Sequence, residues 1–171
     1  MVARARLIVV GVVVVGLGMA LTACMGGWFN PQLVTTLIIG DPVAKGGKWE
    51  VLISVANMPD GGAAGMQFGI AGDEAITFSN NVDATTIVAV GLNGFTVGAQ
   101  TYAAGPPAKG ALIATNPATG VVGGTILKLT FEAAGNPTRP VVDEAKVKLS
   151  DDNNHWITTW ALGTDKAYYA K

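Results

Sequence analysis

The chain has little of what catalysis and nucleic-acid binding usually require. Its 171 residues include one cysteine, Cys24, and one histidine, His155. An internal disulfide and a zinc site with several cysteine or histidine ligands are therefore excluded. The 11 Lys and Arg are scattered and balanced by 12 Asp and Glu. Because a nucleic-acid-binding surface needs clustered basic residues, we expect no nucleic-acid partner.

Candidate catalytic groups are equally scarce. His155 follows two asparagines and precedes Trp156, with neither a serine nucleophile nor a metal partner beside it, which favours a structural or surface role. Acidic pairs occur at Asp73-Glu74, Asp143-Glu144 and Asp151-Asp152. Neighbouring side chains on a strand point to opposite faces, so adjacency alone does not aim two carboxylates at one glycosidic bond. We predict that the protein is not an enzyme and has no catalytic residue.

The N-terminus has the three parts of an export signal. Residues 1–6 carry two arginines, residues 7–20 are apolar, and small residues lead to a cysteine in Leu21-Thr22-Ala23-Cys24. This tetrapeptide resembles the lipobox of bacterial lipoproteins. The resemblance implies cleavage before Cys24 and covalent diacylglycerol and acyl chains on that residue, with no other cofactor expected.

Two alternatives to a lipoprotein signal remain open. A permanent transmembrane anchor is the weaker interpretation, because glycines interrupt the apolar run and about 20 apolar residues are needed to cross a bilayer. An ordinary secretory signal followed by a chance cysteine is the other. With a lipid anchor the protein lies outside the cytoplasm on the cell membrane, and on the outer membrane of a diderm, since Met25 rather than Asp follows the cysteine.

The remaining sequence indicates one all-β domain. Glycine, valine and threonine are abundant, helical periodicity is absent, and apolar residues alternate with polar ones in residues 49–55 and 127–131. Weaker candidate strands cover 33–39, 66–70, 75–78, 85–90, 95–102, 111–115, 145–150 and 156–160. We therefore divide the chain into a signal peptide (1–23), a lipidated tether (24–32), a β-sandwich (33–160) and a C-terminal tail (161–171).

Two stretches resemble the cohesin family. Residues 45–59 form a glycine-led strand that ends in Asn57-Met58-Pro59, and a second strand follows at residues 65–70. Residues 123–132 form another glycine-led strand that ends in Thr130-Phe131-Glu132, and residues 147–152 resemble the strand and acidic turn that come next. The resemblance implies an antiparallel jelly-roll β-sandwich of about nine strands that binds a dockerin-type protein. Carbohydrate-binding modules share this architecture.

Aromatic residues are the candidate binding residues for a glycan. Trp160, with Tyr102 or Tyr168, could stack on sugar rings. Trp49 shares a face with Val51 and is predicted to lie in the core. Trp156 and Trp160 are four residues apart, a spacing that places two strand residues on the same face. For Trp156 we favour a position in the core.

A weak calcium site is the remaining candidate. Asp151, Asp152 and Asn153 place oxygen-bearing side chains in one turn, and Ca²⁺ prefers such ligands. The same run is typical of an Asx turn without metal. The sequence therefore predicts a membrane-anchored, noncatalytic module that binds a dockerin-type protein or a polysaccharide. A self-associating structural envelope lipoprotein is the first alternative and a small hydrolase the second, and the sequence leaves the oligomeric state open.

Overall fold

A computed structural model of the chain describes residues 34–69, 73–116 and 118–163. The lipobox, Cys24, the tether and Tyr168 lie outside these residues, so the predictions made for them stay predictions. Within the described residues there is no helix with the length and apolar character needed to span a membrane.

The described residues form twelve strands and one short 3₁₀ helix (Glu144–Lys146), which confirms the predicted all-β class. The strands are β1 (Thr36–Ile39), β2 (Val43–Lys45), β3 (Lys48–Ala56), β4 (Gly65–Phe68), β5 (Ile76–Thr77), β6 (Val82–Gly91), β7 (Thr96–Ala103), β8 (Lys109–Thr115), β9 (Gly124–Ala133), β10 (Val141–Val142), β11 (Val147–Ser150) and β12 (Ala161–Gly163).

These strands form the two sheets of a sandwich. Sheet I has the order β12-β1-β3-β9-β6, with β2 paired to β3, and sheet II has the order β10-β5-β8-β4-β11, with β7 paired to β8. The pairs are antiparallel except for β1 with β12, which run parallel. The sandwich prediction is thus confirmed, with a parallel edge pair that the sequence pattern did not indicate.

The core is built on the pair β3–β9, the two clearest alternating runs in the sequence. Val51 lies opposite Leu129 in the register, and both side chains are fully buried. The alternation is interrupted once, where the register shifts between Ile53 and Ser54 and both Ile126 and Leu127 turn inward. A bulge of this kind adds a residue to one strand and lets consecutive side chains enter the core. Trp49 packs against the core near the beginning of β3.

The C-terminal part differs from the prediction. Residues 157–160 are not a strand, and Trp156 makes only an isolated bridge with Ser150. Up to residue 163, where the described part of the chain ends, the last strand is β12, which has three residues, pairs with β1 and lies within the range predicted to be a tail. Short strands such as β2, β10 and β12 bury too few side chains to show alternation.

The register of β3 and β9 supplies a matched pair of substitutions. Leu129 is fully buried, whereas Leu52, on the adjacent strand, is 44% exposed on the outer face and lies opposite Lys128. Leu129→Asp should unfold the domain, because an unpaired buried carboxylate costs several kcal/mol, a large share of the roughly 5–15 kcal/mol that stabilises a domain. Leu52→Asp should change the free energy of unfolding by less than about 1 kcal/mol. Urea unfolding followed by circular dichroism measures both, and equal midpoints would contradict the register.

Candidate functional site

A ten-residue segment carries the chain from sheet II to sheet I and builds the candidate site. This crossing segment, residues 151–160, follows the edge strand β11 and ends at β12. Past its middle, the N–H of Ile157 donates to the carbonyl of Leu149 in β11 at 2.9 Å, and directly after its last residue the N–H of Ala161 donates to the carbonyl of Thr35 at 2.9 Å. The segment is thus hydrogen-bonded to sheet II at Ile157 and reaches sheet I at Ala161.

An Asx turn at Asp151 sets the direction of the crossing segment. The Asp151 Oδ1 atom accepts hydrogen bonds from the N–H groups of His155 at 2.8 Å and Asn153 at 2.9 Å. The His155 N–H lowers the pKa of the Asp151 carboxyl below its ordinary value, and the Asn153 N–H adds to this effect against partial burial, which raises the pKa. Asn154 has a φ of 62°, a conformation that asparagine tolerates better than most residues. The turn therefore accounts for the run of Asp and Asn residues.

Two of the oxygen atoms proposed for calcium accept hydrogen bonds within this turn. Asp152 Oδ1 accepts a hydrogen bond from Asn153 Nδ2 at 2.8 Å, and Asp151 Oδ1 accepts the two backbone hydrogen bonds above. Within residues 34–69, 73–116 and 118–163, no three His, Cys, Asp or Glu side chains converge as metal ligands would. The weak calcium prediction stays a prediction.

A groove lies between β11 and the crossing segment. Its volume is about 310 Å³, and its lining is largely aliphatic and aromatic. It is lined by Val147, Lys148, Leu149, Trp156, Ile157, Thr158 and Trp160. We name it the tryptophan groove. It combines two indole rings with one hydroxyl and one ammonium group, the mixture that ligand sites use for affinity and orientation.

The two tryptophans occupy different environments within the groove. Trp156 is 58% exposed, and the Lys148 ammonium lies over its ring at 5.2 Å from the centroid. Trp160 is partly buried and packs against the core. The favoured prediction of a core position for Trp156 is therefore wrong. Strand alternation does not apply to an irregular segment, so the four-residue spacing did not determine which way each indole faces.

Tyr102 lies elsewhere in the sandwich and does not form a platform with Trp160. A register shift between Val97 and Ala99 reverses the alternation in β7 and turns Tyr102 toward the core. Its ring packs edge-on to Phe78 at a centroid distance of 6.2 Å, and burial raises the pKa of Tyr102 to about 12. Because β7 and β11 are separated by β8 and β4, Tyr102 lies at least about 14 Å across the sheet from the groove. Tyr168 lies outside the described residues.

The histidine and the acidic pairs lie at the surface. The His155 side chain is 80% exposed, and its Nδ1 atom lies 3.4 Å from Asp151 Oδ2. Asp73 and Asp143 both lie near the Lys146 ammonium, at 3.7 and 3.9 Å. His155, Asp73 and Asp143 each belong to an exposed turn or ion pair, which agrees with the surface role expected for His155 and with acidic pairs that do not converge on one site.

A larger recess lies where β6 begins and β9 ends. It has a volume of about 460 Å³ and no aromatic lining. Its two carboxylates have partners: Asp83 Oδ1 accepts from the N–H and hydroxyl of Thr85 at 2.9 and 2.7 Å, and Glu132 pairs with Lys48 at 3.4 Å. Because this recess has no aromatic face and its two carboxylates already have partners, it is a weaker candidate than the tryptophan groove.

The outer face of sheet I carries an exposed apolar patch. Leu52, Val88 and Val90 are each 44–45% exposed, and Lys128 lies between Leu52 and Val90 in the register. Lys128 also pairs with Glu50 at 3.4 Å. The residues thus form a surface of mixed apolar and charged character.

The similarity of this chain to known proteins lies in its structure. No protein-family model matches the chain, and no curated protein sequence matches it. Among solved structures, a similar chain is the non-cellulosomal cohesin from the hyperthermophilic archaeon Archaeoglobus fulgidus, at 12% sequence identity and a TM-score of 0.45, over 77% of this chain and 86% of that chain.

Proposed function

We propose that the protein is a noncatalytic glycan-binding module, held outside the cytoplasm by lipid on Cys24, and that the tryptophan groove is its binding site. The observation that carries the proposal is the 58% exposure of Trp156 beside the second indole of Trp160. Tryptophan is highly buried on average, so a largely exposed indole in a groove indicates a ligand. An indole face stacks on an apolar sugar face, while Thr158 and Lys148 supply polar contacts to hydroxyl groups.

The size of the groove favours a small repeating ligand. Its volume of about 310 Å³ is at the lower end of the range for small-molecule sites, roughly 300–1,000 Å³. A stable contact with a folded protein needs about 800 Å² on each partner, which a groove lined by seven residues does not supply. One or two sugar rings of a longer chain match the groove better.

The edge of β11 is poorly suited to binding a peptide as an added strand. The Leu149 carbonyl already accepts the Ile157 N–H, and the Val147 N–H already donates to the Glu144 carbonyl. A strand added at this edge would need those backbone groups. The crossing segment and the 3₁₀ helix therefore occupy the edge, and side chains rather than backbone are left to contact a ligand.

A second candidate function uses the outer face of sheet I. The exposed Leu52, Val88 and Val90 around the Lys128–Glu50 ion pair have the mixed character of a transient protein interface. A dockerin-type protein partner would bind there rather than in the groove, and so would a second copy of the chain in a self-associating envelope protein.

Substitution of the exposed tryptophan tests the glycan function. Trp156→Ala should reduce retention on immobilised polysaccharide at least about tenfold, because one stacking contact is lost, and should leave the melting temperature within a few degrees of wild type. Affinity electrophoresis against a panel of polysaccharides measures retention. Trp160→Ala should weaken retention as well, but it should also lower the melting temperature because Trp160 packs on the core.

Two control variants separate binding from folding and identify the other candidates. Tyr102→Ala should lower the melting temperature and leave retention unchanged, because Tyr102 faces the core away from the groove. Unchanged retention of Trp156→Ala would contradict the groove assignment. Binding to dockerin-bearing proteins would favour the outer face of sheet I instead. Oligomers of the wild-type chain that dissociate in the Leu52→Asp variant would favour the same face.

Labelling at Cys24 tests the anchor. Cells that express the wild-type chain should incorporate radiolabelled palmitate into it, and Cys24→Ala should be unlabelled and retain its signal peptide, because the thiol is the site of lipid attachment that the lipobox resemblance implies. The wild-type chain should sediment with membranes. Absence of label from the wild-type chain would contradict the lipoprotein proposal and leave glycan binding untouched.

A further inference from the structure

We infer that the glycan bound in the tryptophan groove is acidic, with a carboxylate on the sugar ring that pairs with Lys148. This inference rests on the proposed function and names the class of glycan. Lys148 is the single charged side chain among the residues that line the groove. Its position on the outward side of β11, between the buried Val147 and Leu149, fixes the base of the side chain at the groove.

The Lys148 ammonium has no carboxylate partner in the part of the chain that the structure describes. Lys45, Lys48, Lys128 and Lys146 each pair with an acidic side chain at 3.3–3.9 Å. Lys148 instead lies over the Trp156 ring. A cation held by a ring in this way keeps its charge available to an anion and is already positioned at the site, which reduces the ordering cost of binding.

The carboxylates near the groove do not cancel this attraction. Asp151 is not among the lining residues, and its Oδ1 atom is occupied by two backbone N–H donors. The His155 ring lies beside its other oxygen, at 3.4 Å. A single ligand carboxylate at Lys148 would therefore meet an ammonium group first, while Asp151 and Asp152 lie outside the groove lining and act on charges beyond it.

The charge of the surroundings selects a carboxylated glycan over a densely sulfated one. The crossing segment begins with Asp151 and Asp152 and contains no Lys or Arg, and the whole chain has a net charge of −1. A polymer with several negative charges on each sugar would be repelled by this segment, whereas one carboxylate on a ring matches one ammonium beside one indole. Uronic-acid polymers have this composition.

Matched pairs of glycans test the inference with the full chain in a mild nonionic detergent. The probes are oligomers of polygalacturonate, alginate and hyaluronan, each compared by isothermal titration with a carboxyl-esterified form of equal length. Wild type should bind the free-acid form of at least one glycan about tenfold or more tighter than its ester at low salt, as expected for one charge-assisted hydrogen bond. When the assay contains about 0.5 M NaCl, the ratio of the affinities for acid and ester should fall about threefold or more, because salt screens the charge on Lys148.

The variant Lys148→Gln isolates the charge. It should bind the acid and the ester with equal affinity, near that of wild type for the ester, while Lys109→Gln on β8 should retain the wild-type preference. Loss of binding to both forms in Trp156→Ala would show that the same groove is used.

Several results would overturn the inference in distinguishable ways. Equal affinity of wild type for acid and ester would overturn the acidic preference and leave glycan binding in place. Equal affinity for dextran sulfate or poly-L-glutamate would show that charge alone is recognised, in a polymer or a polypeptide. No binding to any acidic or neutral glycan would overturn the proposed function together with the inference.

Discussion

The antiparallel pair β3–β9 is the interaction on which the rest of the structure depends. With no second cysteine to form a disulfide, the domain is stabilised by packing, and the two strands contribute seven side chains that are at most 1% exposed: Val51, Ile53, Val55, Ile126, Leu127, Leu129 and Phe131. β1 adds to one side of the pair and β6 to the other. Since β12 pairs with β1, the end point of the crossing segment is fixed by the same framework. The buried pair β3–β9 thus sets the position of β1, and β1 sets the position of β12 at the edge of sheet I.

The tryptophan groove is a consequence of joining the two sheets at that edge. The chain must pass from β11 in sheet II to β12 in sheet I, and the Asp151 turn directs it along the open side of the sandwich. Trp160, near the end of the passage, packs into the core. Trp156, in the middle of the passage, is exposed at the surface beside Lys148. The same connection that closes the fold therefore presents an indole face and a cation to solvent.

The fold could be predicted from the sequence where strands are long and half buried. Residues 49–55 and 127–131 alternate cleanly and form the centre of sheet I. β12 could not be found in this way because three residues paired in parallel with β1 show no periodicity. The inward position of Tyr102 could not be predicted, because it depends on the register shift near Gly98, and this shift leaves no clear trace in the residue pattern. The two groove tryptophans were identified as candidates, but their exposure depends on an irregular segment whose side-chain directions follow from tertiary hydrogen bonds.

Nuclear magnetic resonance of the tryptophan indoles shows directly whether a glycan occupies the tryptophan groove. The ¹⁵N-labelled full chain is titrated with a uronic-acid oligomer that it binds. We expect the indole N–H signals of Trp156 and Trp160 and the amide signal of Thr158 to shift together. The amides of Leu52, Val88 and Val90, on the outer face of sheet I, should stay unchanged. Shifts confined to those three residues, with the groove signals unmoved, would contradict the account.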